Sequence, residues 1–99
     1  MIIFRPHRLG MDLGDALAEA KEFSSVEEMK KYIVELWNDG WQGHEKLFSE
    51  KDIVIDEESE KNDERIGWED SKYVCVRRMG SKEYETPQCI GMCATKYKR

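Results

Sequence analysis

No hydrophobic run in this 99-residue chain approaches the roughly 18 residues that a membrane-spanning helix requires. The N-terminus has no long apolar segment either. Ile2, Ile3 and Phe4 are followed at once by Arg5 and Arg8, the reverse of a secretory signal, so no membrane partner is expected. Internal repeats, Gly/Ser linkers and low-complexity segments are absent, which leaves a single domain over residues 1–99. Histidine occurs only at His7 and His44, and no nucleophile elbow or Cys-His signature accompanies them. Gly10 and Gly14 match neither a Walker nor a dinucleotide fingerprint. Carboxylates abound, but in solvated runs without the apolar neighbours that raise a pKa for acid–base work. The chain is therefore not expected to be an enzyme, and no cofactor is implied.

Cysteine is limited to Cys75, Cys89 and Cys93. An odd number fits a reducing cytoplasm better than a disulfide scaffold. Cys89 and Cys93, taken with Cys75 and with His7 or His44, invite a zinc site. On a strand, however, residues four apart stand about 13 Å from each other, too far to share one tetrahedral ion. The three thiols are read as small buried hydrophobes, and no metal is expected.

What is present is charge and aromatic surface. Charged residues make up 37% and apolar residues 39%, the balance of a soluble domain with one modest core. Ten per cent aromatics, including Trp37, Trp41 and Trp68, argue for folding rather than disorder. The net charge of −5 is uneven: residues 1–65 balance at −8 and residues 66–99 at +3. Duplex affinity comes largely from neutralising phosphates, so direct nucleic-acid binding is a poor expectation and a basic protein partner a better one.

Periodicity gives the elements. Ile2–Arg5 reads as a strand ended by Pro6, and Met11–Ala20 as a short helix with Leu13, Leu17 and Ala20 aligned. Lys21–Phe23 reads as an extended connector. Ser25 and Glu28 form a capping box that opens a helix to Asn38, with Val26, Met29, Ile33, Leu36 and Trp37 on one stripe and Gly40 beyond its end. Residues 41–49 are ambiguous. Asp52–Asp56 reads as a short strand and residues 57–63 as a loop. A hairpin follows, with its turn at Glu69-Asp70-Ser71 and a strong strand over Lys72–Met79 that puts Val74 and Val76 on one face. Residues 80–87 look turn-rich. Gln88–Thr95 makes a last strand, with Cys89, Gly91 and Cys93 on one face and Ile90 and Met92 on the other. These predict an α+β domain: a small antiparallel sheet of four to five strands, with one main and one short helix packed on one face.

Two surfaces are candidates for binding. Asp56, Glu57, Glu58, Glu60, Asp63 and Glu64 place six acids in nine residues. The plain expectation is a solvated loop; the sharper one is a surface competing for phosphate-binding sites on a basic partner, with Trp68 as anchor. Arg5, His7 and Arg8 flank Pro6 near a helix start, where two guanidiniums and an imidazole suit phosphate or carboxylate. They equally suit internal pairing with the chain's own acids.

Ile3-Phe4-Arg5-Pro6-His7-Arg8, Glu19-Ala20-Lys21-Glu22-Phe23, Asp63-Glu64-Arg65-Ile66-Gly67-Trp68, Tyr73-Val74-Cys75-Val76 and Pro87-Gln88-Cys89-Ile90-Gly91-Met92-Cys93 together span nearly the whole chain. In this combination the sequence resembles a group of small phage and prophage proteins from low-GC Gram-positive bacteria. The resemblance implies a viral or mobile-element origin and no established activity. By analogy, the leading expectation is a cytoplasmic, non-enzymatic binding protein, an anti-defence inhibitor of the anti-CRISPR kind. Its partner would be a basic host protein such as a CRISPR effector. The alternatives are a module that binds an anionic nucleotide through Arg5, His7 and Arg8, and an assembly accessory that forms a homodimer through its sheet edges.

Overall fold

The structure is a computed structural model that describes residues 1–7, 12–43, 46–63 and 67–97, with Leu13 and residues 58–63 described as backbone. Five strands form one antiparallel sheet: β1 (Ile2–Pro6), β2 (Lys21–Phe23), β3 (Ile53–Asp63), β4 (Trp68–Met79) and β5 (Lys82–Ala94), in the order β2-β1-β5-β4-β3. Helix α1 covers Leu13–Ala18 and α2 covers Val26–Asn38, and a 3₁₀ turn at Glu50–Asp52 leads into β3. The fold is the expected small α+β class. Among the described residues no helix is long and apolar enough to cross a membrane.

The two helices do not share a face, contrary to expectation. Ile2 and Phe4 of β1 point toward α2 and form the main core with Met29, Ile33, Val74, Val76, Ile90 and Cys93. Ile3, Trp68, Met92 and Ala94 form a second core on the opposite face, covered by Leu17 and Ala20 at α1. The reason lies in β1 and β5. Ile2, Ile3 and Phe4 are apolar without alternation, as are the residues from Ile90 to Ala94, so both sides of these central strands require cover.

Strand limits depart from the sequence pattern where long-range pairing overrides local composition. Glu69, Asp70 and Ser71 lie inside β4 rather than at a turn, with Asp70 at φ 54° and a register shift opposite it in β3. The acidic residues 57–63 continue β3 rather than forming a loop, with Lys61 and Asp63 paired to Ser71 and Trp68 of β4 across two register shifts. Residues 80–87 contain only a tight turn, with Gly80 at φ 65°, before β5 begins at Lys82. Lys21–Phe23 is a true edge strand paired with Ile2–Phe4.

One bulge reorders β5. Val74 pairs with Gly91 but Cys75 pairs with Cys89, so Ile90 is inserted without a partner. Ile90 thereby joins Cys93 on the α2 face while Cys89 takes the other, correcting the simple alternation. Gly91 permits this packing: a Cβ there would strike the Arg5 carbonyl oxygen and the Phe4 ring.

Helix α2 ends as its sequence predicts, with Gly40 at φ 76°. Its start is a modified capping box. Ser25 Oγ accepts from the Glu28 amide at 3.2 Å, but Glu28 reaches one residue further back, to the Ser24 hydroxyl at 2.6 Å and the Ser24 amide at 3.3 Å. These bonds hold the Glu28 carboxyl below its usual range, the hydroxyl contributing most. The ambiguous segment after α2 is tied down by Asn38, whose side-chain oxygen accepts from the Leu47 amide at 2.5 Å. That contact helps to seat Phe48 in the core.

Candidate functional site

The face that carries α1 also carries a cleft. Register pairing sets Arg5 on β1 opposite Met92 on β5, Met92 opposite Tyr73 on β4, and Tyr73 opposite Asp56 on β3. In an antiparallel sheet such partners leave the same face, so the row forms a floor. Arg5, His7, Asp12, Tyr73, Cys89 and Met92 bound a cleft of about 450 Å³, with Ala16 of α1 in its wall. This is within the range that holds a small molecule.

Arg5 is the unusual member. It is only 9% exposed, and its guanidinium carbon lies 5.8 Å from the centre of the Trp68 ring, within cation–π range. Its Nη2 donates to the Met92 sulfur at 2.9 Å, a weak acceptor for a full positive charge. Its Nε is buried with no hydrogen-bond partner. Among the described residues no carboxylate forms a salt bridge with it. Asp12 shares the cleft, but its Oδ1 accepts from the Asp15 amide at 2.8 Å as the cap of α1. His7 is exposed at the mouth, its backbone amide donating to the Ile90 carbonyl at 2.8 Å. The strand thus persists through Pro6, and Arg5 and His7 come to one cleft as their spacing predicts. Arg8 lies outside the described residues.

The acidic candidates lie along β3, an edge strand of the sheet. Asp56 and Glu57 are exposed on β3, the outermost strand, and Glu57 pairs with Lys72 at 2.6 Å. Glu58, Glu60 and Asp63 are placed on β3 by backbone alone, and Glu64 and His44 lie outside the described residues. Trp68 is not an exposed anchor. It is 3% exposed in the second core, because that face needs a large apolar filler between β1 and β5. Trp41 is the exposed tryptophan among the described residues, at 50%.

Tyr73, Met92, Asp12 and Cys89 were not legible as site members, since only the strand register and the bulge bring them to Arg5. The alternation of β4 put Tyr73 on the face away from the valines, the one usable signal. Cys75 and Cys93 are buried as expected, whereas Cys89 is exposed. Burial pushes the Cys93 thiol up to about 11, and burial followed by the nearby Cys89 raises Cys75.

Comparison with known proteins found no matching family model, no matching curated protein and no matching solved structure.

Proposed function

We propose that this protein is a non-enzymatic binding module that captures a small anionic molecule, of the nucleotide class, in the Arg5 cleft. One observation carries the reading: a buried guanidinium that faces a cleft and has no carboxylate partner among the described residues. Removing such a charge from water costs several kcal/mol unless a counter-charge offsets it. A phosphate or carboxylate would complete the site, matching the planar donor array of Arg5. Tyr73, Met92 and Ala16 offer apolar cover to the body of the ligand, and His7 and Asp12 offer polar contacts at its rim.

Thermal melting of the full chain with inorganic phosphate and with adenosine monophosphate tests this. A ligand at a hundredfold its Kd stabilises the folded state by about 2.7 kcal/mol, which raises Tm by roughly 10 °C or more in a domain of this size. Arg5→Met should abolish that rise without lowering the melting point of the free protein. Absence of any shift with wild type, or a collapse of the free Arg5→Met variant, would count against the site.

A second reading has its own observation. Among the described residues β3 ends the sheet order beside β4, and a sheet edge is where an added strand pairs. Its acids would repel a second copy of the chain and favour a basic segment. The resemblance to phage proteins extends this to a nucleic-acid-handling host protein. Binding of a lysine-rich extended peptide, followed by calorimetry, should weaken with salt and on neutralising Glu57, Glu58 and Glu60. Salt-independent binding would rule it out.

A further inference from the structure

We propose that Cys75 and Cys89 form a reversible cross-strand disulfide, and that Cys89 is a site of modification by small disulfides such as oxidised glutathione. The two residues are register partners on β4 and β5. Antiparallel partners have Cα atoms about 4.5–5.5 Å apart, inside the span that a disulfide bridges. Their side chains leave the same face of the sheet, where Cys89 lines the cleft beside Tyr73. The register shift next to the pair gives the backbone room to meet the required torsion. Cys93 cannot take part, because it pairs with Phe4 and lies in the core on the α2 face, across the sheet from Cys89.

The two thiols differ in a way that assigns their roles. Cys89 is exposed and meets the reagent; Cys75 is buried, with Cys89 as its register partner on β5. Burial, and then the Cys89 charge, raise the Cys75 pKa, which keeps Cys75 protonated while Cys89 reacts. The Cys89 thiolate attacks one sulfur of oxidised glutathione, the disulfide bond breaks, and one glutathione leaves as thiolate. Cys75 then gives its proton to water and attacks Cys89 Sγ, expelling the second glutathione. Two protein thiols are oxidised and one small disulfide is reduced to two thiols. The inference does not depend on the ligand proposed for the cleft.

The experiment is intact-mass analysis with peptide mapping of the native, full-length chain after incubation in oxidised glutathione without other ligand. The expected product has lost two hydrogen atoms, maps to Cys75–Cys89, and is restored by dithiothreitol. Cys75→Ala should instead hold one glutathione on Cys89, so that trapping is read even where the bridge cannot form. A wild-type product that keeps glutathione on Cys89, a bridge involving Cys93, or a bridge formed only in denaturant would overturn the proposal.

Discussion

Arg5 combines a buried charge with weak partners among the described residues. Its guanidinium lies over the Trp68 ring, and its Nη2 donates to the Met92 thioether. Replacing an uncompensated buried charge with an apolar residue of similar length is neutral or stabilising, so Arg5→Met should change stability by about +1 kcal/mol or not at all in urea unfolding. Gly91 sits beside it and tolerates no side chain. Gly91→Ala should destabilise the domain by about 1–3 kcal/mol in the same measurement, because the clash is with backbone and a packed ring. The cysteines should separate by accessibility: iodoacetamide at pH 8 should label Cys89 first and Cys93 last by mass spectrometry, since Cys93 is buried with its pKa near 11.

Among the elements, α2 was the most legible, although Val34, outside its expected stripe, is buried in the core and Leu36 is only half-buried. Its apolar stripe, Ser25 and Gly40 are local signals, and local signals survive folding. Its acid sensitivity follows from Glu28. The folded pKa is depressed, so its contribution is present above the unfolded value and is lost as pH falls through the folded one. Ser24→Ala should therefore lower the melting temperature at pH 7 and flatten its loss below about pH 4.5, the ordinary glutamate range, so that the two proteins converge in acid. The β-strands were legible only in part. Val74 and Val76 announce β4, but residues 57–63 and 82–87 have loop compositions and lie in strands, anchored by Lys61 on Ser71, Asp63 on Trp68, Lys82 on Met79 and Glu83 on Arg78. The displaced turn and the Ile90 bulge have the same origin: register is chosen by which side chains must be buried on each face.

At the scale of the whole molecule, the sheet is buried on both faces near β1 and β5, with a radius of gyration of 13.3 Å, close to the roughly 13 Å of a compact chain of this length. Trp68 holds the smaller face together, and Trp68→Ala should cost about 3–5 kcal/mol, seen as loss of the cooperative melt. Composition and periodicity by themselves determined the class of this protein: a small α+β fold rich in charge, with a helix capped where its residues say. Those properties depend on neighbours three or four positions apart or on totals over the chain. Tertiary structure alone decided that the helices take opposite faces, that Trp68 is interior, and that Arg5 meets Tyr73 and Cys89. These depend on contacts between residues more than sixty positions apart, whose geometry exists only after register and bulge are set.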